Sequence, residues 1–306
     1  MPASEDLRNE LAAVEPRRPC DRLAQLSAMF HAAGSLHLHG RGELSVHVDL
    51  ASSAAARRAF SLLRSLGAQA EIRTYRRRAF ERATRYQLHV AGRGRGLQVL
   101  EEAGVLGADL APLPTPPRRV VARACCRRAY LRGALLAAGS LSGPRAPQLE
   151  ARSAGIDAAR FLAAVAEAQG LTVGVRERAS HAAVYARGLP TVVGLLAAAG
   201  AGGAALALEE QAVMGETRAR ANRLANADHA NLTRTSRAAA TQVRAVRRLA
   251  ASERLAKLPP ALQELADLRL AHPSLSLREL GLKCRPPVAK AAAHRRLQAL
   301  QRHAEH

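Results

Sequence analysis

Two stretches of this chain hold residues whose types and spacing suit chemistry. The first is a basic segment near the C-terminus, KAAAHRRLQALQRHA (290–304). Projected as a helix at about 100° per residue, it places Ala291, Arg295, Gln298 and Arg302 on one side, flanked by Lys290 and His294. Ala293, Leu297 and Leu300 fall on the other side, which suits a core. Arg and Gln carry paired hydrogen-bonding groups that match base edges, and Lys commonly contacts phosphate. Arg295 and Gln298 are therefore the expected readers, with Lys290 and His294 assisting. Arg296 lies nearer the core boundary and would contact a phosphate or support packing.

The second stretch is a pair of helix ends, LSAMFHAAG (26–34) and LRGALLAAG (131–139). They resemble the LAGLIDADG motif of homing endonucleases, and that resemblance implies a position just before each final glycine where a carboxylate would hold a divalent cation over the scissile phosphodiester. Cation-assisted hydrolysis needs oxygen ligands and a positioned water. The two positions are Ala33 and Ala138, and neither segment holds any Asp or Glu. A methyl group supplies no ligand, so no catalytic residue is expected here. What remains is packing: Ala28, Ala32 and Ala33 against Gly133, Ala137 and Ala138.

These helix ends belong to an internal repeat. FHAAGSL (30–36) returns as LLAAGSL (135–141), 105 positions later, and Cys20 matches Cys125. Gly34 and Gly139 are placed to cap their helices. In the first copy a strand follows at 43–50, with Leu44, Val46, Val48 and Leu50 alternating with polar residues as in a half-buried strand. An amphipathic helix (53–67), strands at 70–75 and 85–92, and a helix at 96–104 complete the copy. The second copy runs through the same order of elements up to residue 200. The four prolines of LAPLPTPPRR (110–119) read as a stiff connector. After residue 203 the strand signals stop.

The expected organisation is α+β: an N-terminal extension (1–19), one repeat (20–109), the linker (110–119) and the second repeat (120–203). An all-α region (214–306) follows, with a helix-turn-helix at about 260–303. There, Pro259 and Pro260 open a helix that ends near His272. Ser276 and Glu279 have capping-box spacing for a short second helix, and Pro286 and Pro287 precede the basic third. Short helix, tight turn and basic helix is the layout that enters a major groove. Upstream, Leu232, Ser236, Ala239, Val243, Val246 and Ala250 keep a helical spacing, with arginines opposite. Asn222, Asn226 and Asn231 are poor helix formers, so they mark caps or specific hydrogen bonds.

Formal net charge is +21, from 46 basic and 25 acidic residues. The stretch from Met214 to His306 carries 18 basic against 7 acidic residues. A polyanion partner is implied, either nucleic acid or an anionic membrane surface. The longest apolar stretch, 195–208, is too short and glycine-broken to span a bilayer, and the N-terminus lacks the regions of a signal peptide. A cytoplasmic location is expected.

Weaker signals are set aside. GRGRG (92–96) has the wrong spacing for a dinucleotide fingerprint and reads as a basic turn. His37, His39 and His47 lie on or near adjoining strands without a third zinc ligand of clear spacing. Cys20, Cys125, Cys126 and Cys284 form no framework and contain no CxxC pair. Neither metal nor cofactor is expected.

The two helix ends resemble the LAGLIDADG motif of homing endonucleases, the second without gaps and the first more weakly. NRLANADHANLTRT (222–235), LPPALQELADLRLAHPSLSLRELG (258–281), PPVAK (286–290) and YLRGALLAAGSLS (130–142) together resemble the WhiA family of bacterial sporulation and cell-division regulators. That resemblance implies two LAGLIDADG-like repeats without nuclease activity, joined to a helix-turn-helix. It also implies promoter DNA as partner, a second transcription regulator as a further one, and a nucleoid-associated role in division, segregation or sporulation. Expected DNA contacts are Ser276, Lys290, Ala291, His294, Arg295, Arg296, Gln298 and Arg302, with Arg223, Asn226, Asn231 and Arg234 in support. The family reads close to KSGVNHR where this chain reads KAAAHRR (290–296), which leaves the operator sequence open. Two other readings stay open: non-specific nucleic-acid binding or a structural role, and a metal-dependent endonuclease. Oligomeric state is undetermined.

Overall fold

The computed structural model describes residues 2–38, 44–76, 84–143 and 146–305. These divide into two compact units, Met1–Gly215 and Glu216–His306.

The first unit is built on the repeat. Copy one runs α2 (Pro19–Ala33), β1 (Gly34–Leu38), β2 (Leu44–Leu50), α3 (Ser53–Ser65), β3 (Ala70–Arg76), β4 (Thr84–Ala91) and α4 (Gly94–Glu102). Copy two runs α5 (Ala124–Ala138), β5 (Gly139–Ser142), β6 (Gln148–Ser153), α6 (Ile156–Glu167), β7 (Gly174–Arg178), β8 (His181–Arg187) and α7 (Leu189–Ala199). Each copy forms a four-stranded antiparallel sheet, with orders β1-β2-β4-β3 and β5-β6-β8-β7. The identical order follows from the duplicated sequence.

The two copies meet through α2 and α5, the most extensively packed pair of elements in the unit. Small residues allow the approach. A Cβ at Gly133 would collide with the carbonyl oxygen of Gln25 and press on the Ala28 side chain. Ala28, Gly133 and Ala137 are buried, and Ala32, Ala33 and Ala138 are half-buried, as the small-residue pattern implied. Leu26, Met29, Leu131 and Leu136 carry the apolar core around the seam.

The N-terminal extension is part of this core. Leu7 and Leu11 of α1 (Pro2–Ala13) are buried. Ser4 Oγ accepts from Leu141 N at 2.9 Å, and Arg8 Nη2 donates to Gly139 O at 2.7 Å. The proline-rich connector is also tied down: Leu113 N donates to Val105 O at 2.9 Å, and the Leu113 carbonyl lies 3.2 Å from His31 Nε2.

Gly34 and Gly139 cap their helices as expected, in extended conformation with φ of −86° and −73°. A Cβ there would strike the carbonyls of Phe30 and Leu135 as the chain turns directly into a strand. One local expectation needs correction: strand β2 is not half-buried by alternation, because Ser45 and His47 are buried along with Val46 and Val48. The register sets His47 opposite both Ser35 and His89. His37 stacks on His47 at 4.0 Å and His89 lies at 4.5 Å, so imidazoles cover the strand's polar face. His39 and Glu43 lie outside the described residues.

The second unit begins within α8 (Gly202–Ala251), whose residues Ala205 and Leu208 belong to the first core. Its Ala245, Val246 and Leu249 join Leu265, Leu280, Ala293, Leu297 and Leu300 in the second. The expected apolar stripe is therefore only partly realised. Val246 is buried and Val243 and Ala239 half-buried, but Leu232, Ser236 and Ala250 are exposed. Among the described residues, no helix is long and apolar enough to cross a membrane.

Two outcomes test this account. Gly133→Val should destabilise the first unit by about 1–3 kcal/mol, toward the upper end because the obstacle is backbone. Its thermal midpoint reports this directly. Burial, then the neighbouring His37, His89 and Arg73, depress His47 from 6.5 to about 4, while Asp49 opposes. Burial likewise lowers His31, against opposing backbone hydrogen bonds from Ser27 and Leu113. A depressed histidine binds its proton more readily when unfolded. Stability is thus fully present above about pH 6.5 and falls as pH drops through about 4. His47→Gln should flatten part of that slope in denaturant titrations across this window.

Candidate nucleic-acid interface

The helix-turn-helix consists of α9 (Pro260–Ala271), α10 (Leu277–Lys283) and α11 (Lys290–Glu305). Pro259 and Pro260 start α9, and it stops at His272, as their positions implied. The turn into α10 carries the expected capping box. Ser276 N donates to Glu279 Oε2 at 2.8 Å, and Glu279 N donates to Ser276 Oγ at 3.3 Å. These bonds hold the Glu279 carboxyl below the usual range, which keeps it ionised as an acceptor.

A buried arginine, not anticipated from sequence, holds the same turn from inside. Arg269 is 2 % exposed and its Nη1 donates to Leu275 O at 2.8 Å and to Pro273 O at 3.3 Å. Burial lowers its pKa. Its carbonyl partners are backbone groups of the turn that would otherwise lose water on burial. Farther along, Arg285 N donates to Glu264 Oε1 at 2.6 Å, linking the α10–α11 turn to α9. Gly281 is buried where a Cβ would strike the Val288 carbonyl, so α11 is drawn close against α10.

This framework fixes the rotation of α11. Ala293, Leu297, Leu300 and Ala304 are buried. Lys290, Ala291, His294, Arg295, Gln298 and Arg302 are all exposed, and Arg296 is half-buried at the boundary. The face drawn from helical projection thus emerges as one continuous solvent-facing stripe. Ser276 is exposed at the cap of α10 beside Arg278, also exposed.

The upstream residues sit differently. Arg223, Asn226, Asn231 and Arg234 are exposed within the body of α8. The asparagines are therefore not caps. Asn231 makes a side-chain bond instead, its Oδ1 accepting from Arg234 Nη2 at 2.6 Å. Arg234 also donates from Nε to Ala230 O at 3.3 Å.

In the first unit, Ala33 and Ala138 lie at the paired ends of α2 and α5, with no acidic side chain in either motif. His31 Nδ1 and Nε2 are engaged by the carbonyls of Ser27 and Leu113. A cavity of about 330 Å³ opens beside His31, lined also by Phe30, Leu36, Val105 and Asp157. The GRGRG stretch forms a strand-to-helix turn in which Arg95 Nε donates to Leu66 O and Nη1 pairs with Glu102.

At the opposite ends of the same helices, the structure gathers residues that sequence spacing kept apart. Ligand atoms of Cys20, Asp21, Cys125 and Cys126 all lie within 4.8 Å of one another. Burial, then hydrogen bonding with Cys20 and Cys125, pushes the Cys126 thiol up to about 12. The sequence signal that would have found this cluster is the repeat itself, since the 105-residue offset pairs Cys20 with Cys125 and Asp21 with Cys126.

Comparison with known proteins covers nearly the whole chain. Residues 19–106 match the WhiA N-terminal LAGLIDADG-like domain, 127–218 the WhiA LAGLIDADG-like domain, and 221–304 the WhiA C-terminal HTH domain. A probable cell division protein WhiA from Heliobacterium modesticaldum is 36 % identical, over 100 % of this chain and 96 % of the relative. One from Symbiobacterium thermophilum is 34 % identical, over 98 % and 96 %. The crystal structure of full-length WhiA from Thermotoga maritima superposes with a TM-score of 0.58 at 22 % identity, over 98 % of this chain and 97 % of the other.

The capping box gives a direct test of the interface scaffold. Ser276→Ala should cost about 1 kcal/mol of the second unit's stability. The thermal transition of that unit should move down while the first unit's stays in place.

Proposed function

Since this chain belongs to the WhiA family, we propose that it is a sequence-selective duplex-DNA-binding regulator without nuclease activity. The observation that carries this reading is the exposed stripe Lys290, Ala291, His294, Arg295, Gln298 and Arg302 on a helix whose opposite side is locked in the core. Base reading requires side chains held at fixed angles; the capped turn, buried Arg269 and close contact at Gly281 supply that rigidity. Arg295 and Gln298 address base edges in the major groove. Lys290, His294 and Arg302 flank them toward the phosphates, and Ser276 and Arg296 add contacts at the margin. Ala291 leaves room for close approach.

Arg223, Asn226, Asn231 and Arg234 lend supporting contacts along α8, and exposed strand arginines such as Arg76 and Arg152 give the repeat unit a basic surface. The unit serves as a platform for DNA or a second regulator. The alanines at 33 and 138 leave no carboxylate in either motif to hold a catalytic cation, which argues against cleavage. The relatives' name supports a role in cell division, exercised at promoters in the nucleoid.

Fluorescence anisotropy with the full-length protein and promoter duplexes tests the central reading. Arg295→Ala should lose about 1–3 kcal/mol of binding to the preferred sequence and relax discrimination. Affinity should fall with salt at a log–log slope of about −5 for six phosphate contacts. Equal affinity for promoter, random duplex and structured RNA would overturn the sequence-selective reading. Mg²⁺-dependent cleavage of any duplex by the pure protein would overturn the non-nuclease reading. Genome-wide mapping of bound sites would identify the operator.

A further inference from the structure

The seam between α2 and α5 has a second chemical end, far from the DNA-reading helix in sequence. Both helices begin there, and each contributes two consecutive residues: Cys20 and Asp21 from α2, Cys125 and Cys126 from α5. The 105-residue repeat offset relates the two pairs, so each copy supplies two of the four side chains.

The spacing approaches that of a tetrahedron. Cys125 Sγ and Cys126 Sγ are 3.9 Å apart, and Cys20 Sγ is 3.6 Å from Asp21 Oδ1. A zinc ion with bonds of about 2.3 Å to sulfur and about 2.0 Å to oxygen requires ligand edges of roughly 3.8 Å between sulfurs and roughly 3.5 Å from sulfur to oxygen. Those two edges already stand close to these separations, and all four ligand atoms lie within 4.8 Å of one another, so a small side-chain adjustment closes the rest. Cys126 is buried, and Cys20, Asp21 and Cys125 are half-buried. Three thiolates with one carboxylate are a soft, anionic set that favours Zn²⁺ over Mg²⁺ or Ca²⁺. The charge is balanced locally: Arg18 Nη1 sits 3.7 Å from Cys125 Sγ, and the first turns of two helices point their free N–H groups toward this end.

We propose that Cys20, Asp21, Cys125 and Cys126 form a structural zinc site that clamps the two repeats together at the head of their shared helix seam. All four ligands come from the protein, which makes the site closed and non-catalytic. Zinc displaces the thiol protons on binding and joins residues 105 positions apart. It thereby stabilises the folded first unit over the unfolded chain, which cannot present the four ligands together.

The test uses full-length protein purified under a non-chelating reductant. Elemental analysis should find about one zinc per chain. Co²⁺ added to chelator-treated protein should give the intense visible bands of tetrahedral thiolate coordination, and zinc should bleach them. Cys125→Ser and Cys20→Ser should abolish the spectrum. Asp21→Asn should weaken Co²⁺ binding at least tenfold, and Cys284→Ser should leave it unchanged. On the unmutated chain, zinc should protect Cys20, Cys125 and Cys126 from alkylation mapped by mass spectrometry, a readout independent of whether the variants fold. The proposal is overturned if chelator-treated, folded protein gives no tetrahedral Co²⁺ spectrum. It is also overturned if the spectrum survives both Cys20→Ser and Cys125→Ser. A disulfide between Cys20 and Cys125 or Cys126 that persists under the reductant, with no bound metal, would overturn it as well.

Discussion

The close approach of α2 to α5 is the constraint on which the first unit depends. With hydrogen atoms alone at position 133, the Gln25 carbonyl can lie where a side chain would stand. Dispersion energy falls off steeply with a gap of even half an ångström, so one glycine sets how well the whole seam packs. The sheets hang from that seam. Each helix ends in a glycine that passes without a loop into the first strand of its sheet. The helix pair thus positions both sheets and brings four ligand-type residues together at its head.

Packing of this kind does not depend on carboxylates. The alanines at 33 and 138 supply the small side chains that the seam needs, and neither motif holds an Asp or Glu. Structural and chemical demands fall on adjacent residues of one motif, and the seam meets the structural one. The exposed basic stripe lies elsewhere in the chain, on the outward face of α11.

The second unit achieves precision by different means. It is small, and its core draws on α8, α9, α10 and α11. Its turns are therefore fixed by polar contacts: the reciprocal Ser276–Glu279 bonds, the Arg269 guanidinium on the carbonyls of Pro273 and Leu275, and Glu264 on the Arg285 amide. The Arg269 contacts are the buried ones, so removing that guanidinium would leave the Pro273 and Leu275 carbonyls without their partner inside the turn.

The sequence by itself determined the α+β repeat followed by an all-helical unit, since periodicity and the 105-residue self-match are local properties of the chain. It determined the rotation of α11, because 3.6 residues per turn sorts Ala293, Leu297 and Leu300 from Arg295 and Gln298 without any partner. It also determined the capping box, whose partners are three residues apart. The tertiary structure alone decided features that depend on residues distant in sequence. His47 is buried because strands carrying His37 and His89 pair on either side of it. Gly34 and Gly139 are extended because a strand must leave the helix at once. Arg269 is internal because a turn folds over it. Leu232 stays exposed because the core that its spacing anticipated reaches only the last turns of α8. The gathering of Cys20, Asp21, Cys125 and Cys126 lies between the two: the 105-residue offset pairs their positions, but only the packing of α2 against α5 brings their side chains within 4.8 Å.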